Sequence, residues 1–238
     1  MRCALALCSA LMANGVLADR PPLTPVALAG DGPPPPWGVV GFPGQSKPFT
    51  RFGAVTLEGQ RVLRVDANLS YGFLVHALAS EPSQRILSWR WRIDEPNTQT
   101  NLTRKDGDDS PAKVCAMFDL PLTSVPFVER QVLRMARLRA GEAIPAANIC
   151  YVWDAHLAAG SVLESAYTRR IRYIVLRGPD APLRTWMVDQ RDIRADFLRL
   201  YGDEAQGKVP PLVGIAVGAD ADNTRQHSVA HVGELMLN

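Results

Sequence analysis

The sequence predicts an all-β fold, an antiparallel β-sandwich with one or two short helical insertions. Roughly ten short segments rich in β-branched and aromatic residues are separated by turn signals, a spacing typical of a sandwich. Within the segment 86–94, the residues from Leu87 to Asp94 alternate strictly between apolar and polar side chains, as a strand with one buried face does. A parallel α/β fold is disfavoured, because it needs a helix between most strands and the sequence lacks that periodicity.

Residues 1–18 have the pattern of a cleaved secretory signal. Arg2 gives a basic start, and the apolar run at 4–17 is shorter than the roughly 20 residues of a membrane-spanning helix. The run ends with Val-Leu-Ala at 16–18, a small-residue pattern that a signal peptidase accepts. The alternative is a buried N-terminal helix. We favour the signal and expect a mature chain from Asp19, in the periplasm or outside the cell.

Residues 19–48 form a leader rich in proline and glycine, with four successive prolines at 33–36. Such a composition sustains neither a helix nor an interior strand. Four apolar residues in its second half are expected to anchor it to the core: Trp37, Val39, Val40 and Phe42. The remaining residues, 49–238, are long enough to form a single sandwich domain.

Ten strands and two helices are expected after the leader. The strand segments are 51–57, 61–67, 71–78, 86–94, 112–120, 148–153, 170–177, 183–188, 212–217 and 229–237. Glu58 and Gly59 are expected to turn the first two segments into a hairpin. Apolar residues at helical spacing predict a helix over 127–138. Asp192 is expected to cap a second helix that Gly202 ends.

The charge balance gives no sign of a nucleic-acid partner. The 238 residues include 26 basic and 24 acidic ones, a net charge of +2. Loss of Arg2 with the signal leaves 25 basic residues against 24 acidic ones. As a whole, such a chain lacks the basic footprint of nucleic-acid or acidic-lipid binding. No apolar stretch after residue 18 is long enough for a spanning helix, so we expect no transmembrane segment in the mature chain.

Two cysteines lie beyond the signal, Cys115 and Cys150, in segments predicted as strands. A disulfide between them is allowed in an oxidising compartment, where it would contribute about 3–4 kcal/mol in the chain-entropy account. The alternative is two buried thiols that act as small apolar residues. The sequence leaves this choice open, because the register between the strands decides whether the Cβ atoms meet.

Two acidic loops are the main candidates for a binding site. The first, at 105–109, precedes a predicted strand, and the second, at 220–224, follows one. Alternating Asp and Asn oxygens suit a hard cation such as Ca²⁺, although neither loop matches the calcium loop of an EF-hand. The alternative, which we favour for each loop taken alone, is Asx-turn hydrogen bonding at a strand end. The metal candidates are Asp220, Asp222 and Asn223, and calcium is the cofactor that they suit.

The polar face of the segment 86–94 is a third candidate site. Arg90 and Arg92 lie there in an aromatic-rich neighbourhood, and arginine together with carboxylates at the end of a sandwich suits a sugar or an organic acid. Trp89 and Trp91 of this segment are either stacking platforms or core residues, and we favour the core. We also expect Trp153 and Trp186 to be core residues.

Seven stretches carry a family resemblance and occur in the order LSWRWRID, RKDGDDSPAKVCAMF, CYVWD, RRIRYIVLRG, VDQRDIRADFLRLYGDE, VGIAVGADADNT and AHVGELML. From about Trp37 to its C-terminus the chain resembles the bacterial secreted family called domain-of-unknown-function family 3047. The W-x-W strand and the K-x-G-D-D, Y-x-W and D-x-D-N-T motifs are specific as a set. The resemblance implies an exported single domain, a jelly-roll-like sandwich, with no agreed activity.

The resemblance also marks polar positions as site candidates: Lys105, Asp108, Asp109, Arg191, Asp192, Asp196, Asp220, Asp222 and Asn223. Three positions depart from the family pattern. Glu234 stands where an aspartate is expected, His231 where a tyrosine is usual, and Lys113 where an arginine is frequent. Such departures would retune or weaken a site at that edge.

We therefore expect a non-catalytic module of the cell envelope that binds a ligand or glycan. The candidate ligand-binding residues are Arg92, Lys105, Asp108, Asp109, Arg191 and Asp192. One alternative is a hydrolase or lyase acting on glycans or esters, in which an aspartate works beside a cationic partner. Another is a structural partner in envelope assembly, whose motifs form buried ion pairs. All three interpretations require the two acidic loops to meet, so that Asp109 and Asp222 are neighbours.

Overall fold

A computed structural model describes residues 22–27, 30–41, 44–140 and 144–238. The predicted signal at 1–18 lies outside the described residues, as does Phe42. Within them, two sheets pack face to face, which confirms the predicted all-β sandwich. One sheet has seven strands and the other has five.

Twelve strands and two α-helices follow one another along the described residues. The strands are β1 (Trp37–Val40), β2 (Arg51–Leu57), β3 (Gln60–Asn68), β4 (Tyr71–Ala77), β5 (Ile86–Glu95), β6 (Ser110–Phe118), β7 (Ala147–Trp153), β8 (Val162–Glu164), β9 (Ile171–Arg177), β10 (Met187–Asp192), β11 (Leu212–Asp220) and β12 (His227–Leu237). The helices are α1 (Phe127–Ala140) and α2 (Ile193–Tyr201), and short 3-10 turns span Lys105–Gly107 and Leu122–Ser124.

The seven-stranded sheet has the order β1-β4-β11-β6-β7-β9-β8, and the five-stranded sheet has the order β10-β5-β12-β3-β2. All neighbouring strands are antiparallel except β7 and β9, which run parallel. The connections β5–β6 and β11–β12 both pass from one sheet to the other. This shared crossing brings the two acidic loops to the same end of the sandwich.

The core between the sheets is built from alternate residues of each strand. On β5, Leu87, Trp89, Trp91 and Ile93 are at most 1% exposed, so these two tryptophans belong to the core as predicted. Their rings lie edge to face with centroids 5.5 Å apart, and Trp91 also packs against Trp153 of β7. The period-two pattern of the sequence therefore fixes which face of β5 is buried.

The hairpin of β2 and β3 turns at the predicted residues. Glu58 and Gly59 have φ values of +52° and +77°, as the two central residues of a type I′ turn do. The cap of α2 is also confirmed, because the Asp192 carboxylate accepts hydrogen bonds from the backbone N–H groups of Arg194 and Ala195. Local turn and cap chemistry was thus sufficient to place both features.

One expected strand is wrong in its bounds. The segment expected at 183–188 is replaced by β10 (Met187–Asp192), because Arg184 has a φ of +56° and pairing with β5 begins only at Met187. The connection between β9 and β10 joins the two sheets. The short edge strands β1 and β8 were not expected from the sequence.

The leader is fixed to the sandwich through Trp37. This residue is 7% exposed, its indole N–H donates to the Thr24 carbonyl at 2.8 Å, and its ring meets the His76 imidazole. Val39 and Val40 are 51% and 38% exposed, so their side chains do not anchor the leader as expected. They contribute through backbone pairing with β4 instead.

A second apolar cluster covers the outer face of the seven-stranded sheet. Leu102, from the β5–β6 connection, is fully buried there against side chains of β6, β7 and β9. Cys115 and Cys150 lie directly opposite each other on β6 and β7, with Cα atoms 4.1 Å apart, and form a disulfide. The open choice between bridge and free thiols is resolved in favour of the bridge.

Replacing both Cys115 and Cys150 by alanine is expected to lower the free energy of unfolding by about 3–4 kcal/mol, because the crosslink restricts the unfolded chain. Denaturant unfolding of the oxidised protein and of the double variant measures this difference. The wild-type protein unfolded under reductant is the control, since it separates loss of the bond from loss of the sulfur atoms. Equal stability of the oxidised and reduced proteins would contradict the expectation.

Candidate functional site

The two acidic loops meet at Asp109. Its Oδ1 accepts hydrogen bonds from the backbone N–H of Asn223 at 3.3 Å and from its Nδ2 at 3.1 Å. Its Oδ2 accepts from the backbone N–H of Thr224 at 2.7 Å and from its Oγ1 at 2.6 Å. Asp109 is fully buried. The neighbourhood of the two loops, on which every interpretation of the sequence depended, is therefore present.

A buried ion pair lies beside this contact. Lys113 of β6 and Asp220 of β11 project from the outer face of the seven-stranded sheet, and Lys113 Nζ is 2.5 Å from Asp220 Oδ2. The other carboxylate oxygen of Asp220 accepts from the backbone N–H of Ser110 at 2.6 Å. The two charged side chains are 3% and 4% exposed. Lys113 is therefore the buried ion-pair partner of Asp220.

The surroundings shift the pKa values of this pair in identifiable directions. Burial, together with the nearby carboxylate of Asp109, outweighs the Lys113 ammonium and raises the pKa of Asp220 to about 7. Burial acts to lower the pKa of Lys113, but Asp220, Tyr173 and Asp108 outweigh it and hold that pKa well above its usual value. Lys113 is therefore the permanent buried charge of the cluster.

Asp108 completes the set on the side facing β8 and β9. Its carboxylate accepts from the Ser165 hydroxyl at 2.7 Å and from the Tyr173 hydroxyl at 3.0 Å. Asp222, whose side chain is 15% exposed, pairs with Lys47 at 3.3 Å. We call Asp108, Asp109, Asp220, Asp222 and Lys113 the carboxylate cluster. Lys105, which was predicted to bind ligand, lies at its edge with its ammonium 5.5 Å from the centre of the Tyr167 ring.

The carboxylate cluster acts as a latch, which means that it holds the two acidic loops at 105–109 and 220–224 together. Both oxygens of Asp109 and both oxygens of Asp220 already accept hydrogen bonds from the protein. Among the described residues, no group of three or more His, Cys, Asp or Glu side chains is placed to hold a metal ion. Asn223, the third metal candidate, uses its amide to donate to Asp109. Calcium at Asp220, Asp222 and Asn223 stays a prediction.

Arg191 and Asp192 lie away from the carboxylate cluster. Arg191 pairs with Leu87 at the start of β5. Its Nε and Nη2 donate to the Asp196 carboxylate at 2.8 and 2.5 Å. The Tyr151 hydroxyl donates to the same carboxylate at 2.8 Å. Asp192 is used as the cap of α2. The two residues therefore orient a helix at the other end of β5, and the structure does not bring them together with the acidic loops.

Arg92 belongs to a different surface, on the outer face of the five-stranded sheet. Its guanidinium donates to Asp94 and to Glu58, each at 2.7 Å, and lies 5.8 Å from the centre of the Trp186 ring. Arg90 covers the same ring at 4.4 Å. The indole N–H of Trp186 donates to the second oxygen of Glu58 at 2.9 Å. The expectation that Trp186 is a core residue is wrong, because the ring is half-buried on this outer face.

We call Arg90, Arg92, Trp186, Glu58 and Glu234 the Trp186 platform. Glu234 joins it through an ion pair with Arg90 at 3.3 Å, and it also lines an adjacent groove. This groove has a volume of about 320 Å³ and runs between the leader at 23–27 and the end of β12. Sequence reasoning did not place Trp186 and Glu58 in a site, because their only local signal was the pair of arginines on the polar face of β5. Glu234 was marked only as a departure from the family pattern.

His231 of β12 lies opposite Arg92 of the platform on the neighbouring strand and is 4% exposed. Its Nδ1 is 3.3 Å from Asp94 Oδ2, the carboxylate that also receives Arg92. Burial lowers the pKa of His231 below its usual value; Asp94 opposes this shift, while Arg64 and Arg92 add to it.

The sandwich, the carboxylate cluster and the platform define an all-β protein with a latched end and a charged aromatic surface. Its chain belongs to the family described as "Protein of unknown function (DUF3047)", whose model matches residues 35–236. A search of the curated proteins finds no match. No helix in the described part of the chain is long and apolar enough to cross a bilayer.

Asp109→Ala is expected to lower the free energy of unfolding by about 3 kcal/mol or more, because four donors of Asn223 and Thr224 lose their buried acceptor. Chemical denaturation measures the change. Asp106→Ala is the matched control, since Asp106 is on the same loop, is 67% exposed and pairs only with the exposed Arg104. Its stability should equal that of the wild type. Equal stability of the Asp109→Ala protein would show that the latch does not hold the loops.

The stability that His231 contributes is expected to fall as the pH drops below about 6.5, the ordinary pKa of histidine, so the melting temperature of the wild type should fall relative to that of His231→Gln. Because the folded protein lowers the pKa of His231, the unfolded chain binds the proton more tightly and gains population in acid. Thermal melts from about pH 5 to about pH 8 measure this dependence. His231→Gln should flatten it, whereas His156→Gln, at an exposed imidazole, should not. Parallel pH profiles for the wild type and His231→Gln would contradict it.

Proposed function

We propose that the protein is an exported, non-catalytic binding module for a glycan or another component of the cell envelope, and that the Trp186 platform is its binding surface. The observation that carries the proposal is a half-buried indole held over two guanidinium groups and bordered by carboxylates. An aromatic face offers an apolar surface to the C–H side of a sugar, while placed polar groups bond its hydroxyls.

The platform is preorganised, which supports a binding role. The side chains of Arg90 and Arg92 are only 15% and 8% exposed, so they are fixed beneath the ring. The side chains of Glu58 and Glu234 are 60% and 59% exposed and remain open to a ligand. Little side-chain freedom would be lost on binding, because the indole and both guanidinium groups already have partners. The adjacent groove of about 320 Å³ has the size of a small ligand pocket.

The carboxylate cluster gives the hydrolase or lyase alternative little support. A general base needs a free lone pair within reach of a substrate. Asp109 is fully buried and both of its oxygens accept two hydrogen bonds. Asp108 is 4% exposed and bonds two hydroxyl groups. We therefore assign these residues to holding the loops together. These contacts favour the structural role that the envelope-assembly alternative gives to the acidic motifs.

Export rests on two independent features of the chain. The pattern at 1–18 is typical of a secretory signal. The bridge between Cys115 and Cys150 is of the kind that persists in an oxidising compartment such as the periplasm. A binding module outside the cytoplasm would meet glycans of the envelope first.

Trp186→Ala is expected to weaken glycan binding about tenfold or more, because the stacking surface is lost. Isothermal titration against a panel of soluble envelope glycans measures this effect. Trp186→Phe should retain most of the affinity, and Lys105→Ala, at the edge of the carboxylate cluster, should retain all of it. No heat with any glycan, or equal affinities for the wild type and Trp186→Ala, would overturn the proposal.

A further inference from the structure

Helix α1 turns its apolar side away from the body of the protein. Five of its side chains are more than half exposed: Phe127 at 68%, Val128 at 73%, Val132 at 66%, Met135 at 52% and Leu138 at 77%. At 100° per residue they fall within one sector of the helix surface. A surface helix ordinarily buries such a stripe against the core, so this helix has its apolar side reversed.

The reversed orientation is held by specific contacts on the opposite side of α1. Leu133 is the one buried residue of the helix, at 6% exposure. The guanidinium of Arg137 donates twice to the Ile144 carbonyl, at 2.9 and 2.7 Å. Glu129 is 2.7 Å from Arg170, whose side chain is 6% exposed. These contacts fix the polar side against the sandwich and leave the apolar side to solvent.

Helix α1 also carries a net positive charge, although the net charge of the whole chain is close to zero. It contains four arginines and one glutamate, whereas the complete chain has a net charge of only +2. The single glutamate, Glu129, is paired with Arg170. Arg134 is exposed at one edge of the apolar sector, and Arg139 and Gln131 are exposed within it. An exposed apolar stripe combined with arginines is typical of helices that lie in the surface of an anionic membrane.

We propose that α1 docks the protein onto an anionic lipid bilayer, with the five exposed apolar side chains inserted at the acyl boundary and Arg134 and Arg139 on the lipid headgroups. The charge selects the lipid surface over a neutral partner, because arginine near anionic headgroups adds to the apolar insertion. A stable protein–protein interface normally uses about 20–30 residues a side, many more than this stripe supplies. Bilayer insertion needs no complementary surface.

The position of α1 in the fold suits this role. It connects the end of β6 to the start of β7, whereas the carboxylate cluster lies at the start of β6. Docking through α1 would therefore leave the latched end of the sandwich turned away from the bilayer. The Trp186 platform is on the five-stranded sheet, outside the β6–β7 pair. Membrane docking and glycan binding can thus be tested separately.

Flotation of the purified protein with vesicles tests the proposal. The wild type should float with vesicles that contain phosphatidylglycerol and much less with vesicles of phosphatidylcholine alone. The double variant Val128→Gln/Val132→Gln should lower the partition coefficient about tenfold or more, because two inserted side chains become polar. Arg134→Gln/Arg139→Gln should lower it by a similar factor and remove the preference for phosphatidylglycerol.

The matched control is the double variant Leu198→Gln/Arg199→Gln on α2. It makes the same kinds of substitution at two exposed residues of the other helix. This variant should float like the wild type, and melting curves should show that all the variants are folded. Absence of flotation, or equal flotation of the wild type and Val128→Gln/Val132→Gln, would overturn the proposal. So would a dimer in sedimentation that only the α1 variant abolishes, since the stripe would then be a protein interface.

Discussion

The buried carboxylate of Asp109 holds together the two connections that close one end of the sandwich. One connection leads from β5 to β6 and the other from β11 to β12, and each passes from one sheet to the other. Four hydrogen bonds from Asn223 and Thr224 to a single carboxylate join these crossings. The outer cover of the seven-stranded sheet depends on the same contact, because Leu102 lies on the loop that Asp109 fixes.

The ion pair next to this contact explains why the acidic motifs occur as a set. Removing two charges from water is costly, and a buried pair adds stability only when the remaining lone pairs are satisfied. Here Ser110 donates to the free oxygen of Asp220, and Tyr173 donates to Asp108 beside Lys113. Loss of any one partner would leave an uncompensated buried group. The motifs thus form one electrostatic unit, and their chemistry is directed inward.

The acidic residues of the cluster accept hydrogen bonds from neighbouring N–H, hydroxyl and ammonium groups of the protein, so the proposed contacts with other molecules use surfaces outside the cluster. The Trp186 platform presents fixed guanidinium groups, an indole and open carboxylates. Helix α1 presents an apolar stripe beside arginines. These two surfaces belong to different parts of the sandwich, one on the five-stranded sheet and one in the connection from β6 to β7. The rigid body between them would orient a bound glycan relative to a membrane.

The sequence by itself determined the features that depend on neighbours a few residues away. The alternation in β5, the Glu58-Gly59 turn and the Asp192 cap follow from local stereochemistry and hydrogen bonding. Only the tertiary structure decided that Asp109 accepts from Thr224, that Trp186 leaves the core, and that α1 faces outward. Each of these depends on partners far apart in the chain. A side chain's type limits which contacts it can make, but the packing of distant strands decides which contact it makes.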